Sequence, residues 1–348
     1  MITHERKTDM DIKQMLRILT DKAGVSGYED DASEAALQLL REYAPDAEID
    51  SFGNVTAVIK ADDPNAETLM LDAHIDRIGM IVTYIDDSGF LKVGGCGGLD
   101  MRTMLAQSVT VHGREEIQGV ISTLPPHVST DHTKVPEIGD ISIDIGMSRE
   151  QAEKVVALGD RVTVNSRFRE LSGLVSASGL DDRSGVCVIL RALELLKERK
   201  AKYNVAVSFS AQEETGERGA KMTAYRLAPD EAIVVDVSFG RTPDSAVHET
   251  AKLGSGAMIG ASAVLDRSMT EKLHAIADRC GIPHTTEVMP SSTGTNADAI
   301  SVSRGGVRCS TVSVPIRYMH TSVEAMDIAD IEHAAGLIAE YIGGDDNA

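Results

Sequence analysis

Residues 203–220 read YNVAVSFSAQEETGERGA, and how this stretch is parsed decides the fold. Val205-Ala206-Val207-Ser208-Phe209 is a short, mostly apolar run of the kind that forms a buried strand. It runs directly into a polar turn that carries two adjacent carboxylates, Glu213 and Glu214. Like charges repel, and carboxylates are costly to bring out of water at the end of a buried strand. Something elsewhere in the chain must compensate them.

The same texture recurs on both sides. NVTAVIK (54–60), TLMLDAH (68–74), EAIVVDVSF (231–239) and VRCSTVSVPIRYMH (307–320) read as strands. DIKQMLRILTDKAG, DDASEAALQLLREYA, SGVCVILRALELLKERK (184–200), TEKLHAIADRCGIPH (270–284) and DIADIEHAAGLIAEYIGG have apolar residues at helical spacing. Alternating strands and helices predict an α/β fold built as an α/β/α sandwich. Between them the texture changes. MIVTYID (80–86), FLKVGG (90–95), LAQSVTVHG, IQGVISTL and DRVTVNSRF are short strands joined by turns, with one helix-like piece, SREQAEKVVALG. The expected organisation is a discontinuous catalytic domain, 1–76 and 172–348, with a small β-barrel-like domain, 77–171, inserted into it. The terminal GGDDNA is expected to be loose.

Composition narrows the function. The formal net charge of −20 disfavours nucleic acid and anionic membranes as partners. No apolar run approaches the roughly 18 residues of a membrane span. The polar start MITHERKTDMDIKQ has no apolar signal core, and Cys96, Cys187, Cys280 and Cys309 are scattered, so a cytoplasmic protein with reduced thiols is expected.

The strand ends carry the chemistry. LMLDAHID ends on His74 and Asp76, SGLDDRSG brings Asp181 and Asp182 before a helix, and SAQEE brings Glu213 and Glu214. Asp236 interrupts AIVVDV, and VPIRYMH ends on His320. Taken singly, each has a plain structural reading: an interior histidine, a helix N-cap, a solvated turn. Together they lie where open α/β sheets form sites, outside the carboxyl ends of the strands. Histidines and carboxylates without cysteine suit zinc, cobalt or manganese, and a two-cation site needs a shared carboxylate. A further carboxylate can then take a proton from water. Glu214 as ligand and Glu213 as base would account for the adjacent charges. Asp76, two residues beyond His74, can fix that ring's tautomer.

With these residues in place, the sequence resembles the co-catalytic metallo-aminopeptidases, the glutamyl, deblocking and tetrahedral aminopeptidases, some once labelled endoglucanases. DAHIDRIGM, VGGCGGLDMRTMLAQSVTVHG, GVISTLPPHV, DIGMSREQAEKVVALGDRVTV, SGLDDRSGV, SAQEETGERGA, VVDVSFG and PIRYMHTSVE carry the resemblance, in family order across nearly the whole chain. It implies two divalent ions (Zn, Co or Mn). His74, Asp181 and Asp236 would hold one, and Asp181, Glu214 and His320 the other. Glu213 would be the general base and Asp76 the orienting carboxylate. It also implies peptide substrates, an α/β/α domain with an inserted barrel, and a homo-oligomer, a dodecamer built from dimers. The chain departs from the pattern at Arg77, where many relatives are acidic, at Ala257, and in the loop after Asp236. Arg77 is expected to point away from Asp76 and to be structural, and the loop bears on specificity rather than chemistry.

Three rivals stand beside this reading. A metal-dependent deacylase could use the same scaffold. A glycosidase could use the paired carboxylates, but it has no need of two histidines, and the chain has no Trp and 3% aromatics to stack on sugars. A non-catalytic binding protein would not require Glu213.

Overall fold

The computed structural model describes residues 11–344, apart from 123, 125, 126, 129–134 and 198. Residues 345–348 of the expected loose tail and part of the GVISTLPPHV segment therefore lie outside the described residues.

The core is a mixed eleven-stranded sheet. Its centre is β3 (Thr68–His74), flanked by β12 (Asn204–Ser210) and β13 (Glu231–Phe239), with β16 (Arg308–Arg317) beyond β13. These four run parallel. Both faces of these strands are buried, and each strand carries an apolar row toward one face while the other admits small polar residues such as Ser208, Ser210, Thr311 and Ser313. The sheet extends through β2 (Val55–Ile59) and β1 (Glu48–Ile49) on one side. On the other it continues through β17 (Glu324–Asp327), β11 (Leu174–Ala177) and β10 (Arg169–Leu171). A branch adds β14 (Ala257–Ser262), which pairs with both β16 and β15 (His284–Met289).

Side chains alternate across each strand, so the two sheet faces are distinct. Leu69, Leu71, Val205, Val207, Ile233 and Val235 face the larger core. It is covered by α1 (Ile12–Thr20), α2 (Asp30–Leu40), α5 (Leu180–Leu196), α7 (Arg267–Cys280) and α9 (Ile328–Gly343). Met70, Ala206, Ala232, Val234 and Cys309 face a smaller core under α6 (Arg218–Leu227) and α8 (Ala297–Ser301). This is the α/β/α sandwich predicted from the strand–helix rhythm. The smaller face carries small residues, and it is also the face of His74 and Asp236.

The short-strand region closes into a barrel in the order β4 (Gly79–Ile85), β5 (Leu91–Cys96), β8 (Ile143–Asp144), β7 (Glu116–Ile121), β6 (Ser108–His112), β9 (Arg161–Val164). Closure leaves no unpaired edge. The barrel has its own apolar core, including Met80, Val82, Leu91, Val109, Val111 and Ile143. Ala152 of α4 (Arg149–Val155) packs into that core, and the short α3 (Met101–Met104) follows β5. Among the described residues no helix is long and apolar enough to cross a membrane.

Candidate metal centre

The parallel strands deliver their C-terminal ends to one cavity of about 430 Å³. His74 ends β3, Asp236 lies within β13, and Glu213 and Glu214 follow β12 by a short turn. Asp181 opens α5, and His320 follows β16 in a left-handed turn with φ +62°. All six line the cavity.

Asp181 is the hub. Its Oδ1 lies 3.1 Å from Nε2 of His74, and its Oδ2 lies 3.2 Å from Nε2 of His320. His320 Nε2 is also 3.3 Å from Glu214 Oε1, and His74 Nε2 is 3.9 Å from Glu213 Oε2. Ligand atoms of His74, Asp181 and Glu214 all fall within 4.8 Å of one another. Asp236 is buried on the same face, with Oδ1 accepting from the amide of Val237 at 2.8 Å.

The two aspartates before α5 divide the roles that the sequence left open. Asp182 accepts from the amide of Gly185 at 3.0 Å and so supplies the helix cap. Asp181 has non-helical backbone angles and turns its side chain to the histidines.

Asp76 does something the sequence did not show. The carbonyl oxygen of Asp76 lies 3.1 Å from His74 Nδ1, while its carboxylate oxygen is 3.6 Å away. The carboxylate instead accepts the amides of Glu213 at 2.9 Å and Glu214 at 3.2 Å, and the hydroxyl of Ser26. It fixes the turn that carries both glutamates.

Other bracing residues escaped sequence reading altogether. Buried Glu324 accepts the amides of Leu180, at 2.8 Å, and Asp181, at 3.3 Å, on one oxygen and that of His320, at 3.1 Å, on the other. The only signal was its place four residues after His320 in HTSVE. Glu29 accepts the amide of Gln212 at 3.2 Å. Arg183, fully buried in α5, donates to the carbonyls of Leu19, Lys22, Ala23 and Ile75. Arg77, which the sequence did single out, is buried and donates to Ser178 and to the carbonyl of Val164, tying the barrel to the segment before α5. The barrel reaches the site itself. The carbonyl of Gly98 lies 2.9 Å from His320 Nδ1, and a Cβ at Gly98 would stand 3.0 Å from that nitrogen.

Burial opposes charge on His74, but Asp181 and Asp76 outweigh it and hold the imidazole well above its usual range. At His320 burial is likewise outweighed by Asp181 and Glu214, which push it up to about 11. Burial pushes Glu213 up to about 8, opposed by His74 and reinforced by Glu214 and Asp76. Burial drives Asp236 well up, against the pull of His74. Four carboxylates thus face two imidazoles, and among the described residues no lysine or arginine pairs with any of them. The cluster is short of positive charge, and its donors are nitrogen and oxygen only. That set fits divalent cations of the zinc, cobalt or manganese kind.

An α/β/α sandwich with such a cluster at its strand ends is an arrangement suited to metal-assisted hydrolysis. The chain matches the sequence profile of the M42 glutamyl aminopeptidases over residues 53–337 and belongs to that family. It is therefore a peptide-bond hydrolase of the aminopeptidase class. It is 31% identical over 332 residues to the lysyl aminopeptidase of Pyrococcus furiosus, covering 93% of this chain and 94% of the relative. The solved aminopeptidase APDkam598 of Desulfurococcus kamchatkensis is 33% identical, with a TM-score of 0.90 over 96% of this chain and 95% of that one. The Pyrococcus horikoshii TET1 peptidase is 31% identical, with a TM-score of 0.84 over 96% of this chain and 100% of that one.

Proposed function

We propose that the protein is a dinuclear metallo-aminopeptidase that removes residues from the free N-terminus of short peptides. The observation that carries the two-cation reading is the split of Asp181, one oxygen toward His74 and the other toward His320. A shared carboxylate between two imidazoles is what a pair of close cations requires. His74, Asp181 and Asp236 would hold one ion, and Asp181, Glu214 and His320 the other. Bound there, divalent cations would supply Lewis-acid polarisation of the scissile carbonyl and would acidify the attacking water.

The chain's own groups do the rest. Glu213 takes the water's proton and passes it to the leaving amine. Its position beside His74, in a turn pinned by Asp76, keeps it aimed at the reaction site. The carbonyls of Asp76 and Gly98 hold the second ring nitrogen of each histidine and so fix which nitrogen faces the cavity.

Assembly into a homo-oligomer, a dodecamer built from dimers, is proposed from the likeness to the TET1 peptidase, which is described as forming a tetrahedron or a large octahedral shell. Twelve copies of 37.2 kDa make about 450 kDa by light scattering, and a strict monomer would overturn the assembly.

The test of the reaction is a matched set of free and N-acetylated peptides. The enzyme, loaded with zinc, cobalt or manganese, should cut free peptides from the N-terminus only. Chelation should abolish the activity and metal should restore it, with two ions per chain in the active form. Cleavage of the acetyl group instead would favour the deacylase reading, and action on β-glucans a glycosidase.

A further inference from the structure

A second cavity of about 840 Å³ adjoins the catalytic one, and Glu287 and Phe239 line both. Glu287 stands on β15, a strand at the branch of the sheet. Its Oε1 accepts the hydroxyl of Ser238, and its Oε2 accepts the hydroxyl of Ser313 at 2.8 Å. Ser313 pairs in register with Asp236, and Ser238 lies two residues beyond Asp236 on the same strand face. Two residues of strand span about 6.7 Å. The carboxylate thus sits just past the proposed metal-holding end of β13, held in place by two neutral donors.

Among the described residues no lysine, arginine or histidine lies within ion-pair distance of Glu287. A half-buried carboxylate without a cation is costly unless a ligand supplies one. Each of its oxygens spends one acceptor site on a serine and keeps another for a donor. The cavity that it shares with the cluster is partly apolar, lined by Val237, Phe239 and Met319, and Phe239 is 60% exposed. Apolar wall leading to a fixed anion is the complement of a long basic side chain, whose methylene stem packs while its head pairs. The second cavity has basic residues of its own, and of these His248 lies 3.5 Å from Glu249. Arg241 is taken up by the carbonyls of Val247 and Thr250, and Lys252 lies exposed.

We propose that Glu287 is the specificity-determining residue of this enzyme and selects peptides whose N-terminal residue is lysine or arginine. The inference rests on the aminopeptidase reading and deepens it. Glu287 touches the substrate side chain, not the reacting atoms, so its loss changes selectivity and leaves the reaction intact.

The experiment compares kcat/KM for the anilides of lysine, arginine, norleucine and glutamate, using metal-loaded wild type and Glu287→Gln. Norleucine has the lysine stem without the ammonium. Wild type should favour lysine and arginine over norleucine at least tenfold. Glu287→Gln should lower the basic substrates at least tenfold and norleucine less than threefold. The ratio of two substrates on one preparation is independent of the fraction correctly folded, so a destabilised variant still reports. A wild type indifferent between lysine and norleucine overturns the proposal. So does a variant that loses all four substrates equally, the pattern expected if Glu287 anchors the α-ammonium. If no anilide or free peptide is cut at all, the aminopeptidase reading itself fails, and this proposal with it.

Discussion

Replacing Asp76 by asparagine alters one atom of a side chain that touches no substrate, yet the structure makes it a severe change. The carboxylate serves two backbone amides and a hydroxyl: Glu213 N at 2.9 Å on Oδ1, and Glu214 N at 3.2 Å with Ser26 on Oδ2. An asparagine has one acceptor oxygen and one NH₂. If the NH₂ replaces Oδ2, it faces the Glu214 amide, while the Ser26 hydroxyl can rotate and accept. If it replaces Oδ1, it faces the Glu213 amide. Either way one buried amide loses its partner, at about 1–3 kcal/mol, and the remaining bond loses its charge assistance. Expressed as misalignment of the glutamate turn, about 1.4–2.7 kcal/mol corresponds to a 10–100-fold loss of rate, which matches the effect of losing a support to a metal ligand. The His74 ring remains held by the backbone carbonyl, so the loss should trace to Glu213 and Glu214. The assay is kcat/KM with metal content on the same preparation, and Ser26→Ala as control, expected within about threefold because it leaves both amide bonds in place. An Asp76→Asn enzyme within twofold of wild type, with full metal, would refute the assignment of the carboxylate to this turn.

Three further outcomes follow from the same geometry. Glu213→Gln keeps shape but cannot accept a proton, so it should retain metal and lose about 10²–10⁴ in kcat, whereas Glu214→Gln should lose metal first; the reverse pattern in metal analysis and single-turnover rates would mean the glutamates are exchanged. Gly98→Ala puts a methyl 3.0 Å from His320 Nδ1, and should lower metal affinity by about 10–100-fold with the far-UV circular dichroism unchanged. Glu29 is pushed up to about 7 by burial, against the Gly27 amide. The folded state therefore holds its proton to higher pH than the unfolded state, so stability from this group falls as pH rises from about 4.5 toward 7. Both of its backbone bonds fall on Oε1, so Glu29→Gln can keep them, and should flatten that fall in thermal unfolding measured from pH 5 to 8.

What could be read in the sequence, and what could not, divides along a physical line. The central strands were legible because β3, β12 and β13 each carry a cluster of apolar residues bounded by polar ones. His74, Asp236 and Glu213 stood out against those runs, since an ionisable group there needs a reason. The barrel was legible as a change of period between Met80 and Phe168. The branch strands β14 and β15 were not: His284–Met289 mixes exposed and half-buried positions, and its sequence HTTEVM alternates too weakly to announce a strand. Glu287 was hidden with it. Glu324, Glu29 and Arg183 were missed for another reason. Charged residues outside the apolar runs read as surface, and only folding shows that their partners are backbone amides and carbonyls as much as 183 positions away. Asp76 shows the limit most clearly. Spacing places it beside His74, 3.6 Å from the ring nitrogen, but the two amides that its carboxylate accepts come from a turn 137 residues further on. Local pattern identifies where ionisable side chains gather. The assignment of each oxygen to a donor depends on chain crossings that no local pattern encodes, and in this site those assignments separate the carboxylate that turns to the histidines, Asp181, from those that brace the backbone, Asp76 and Glu324.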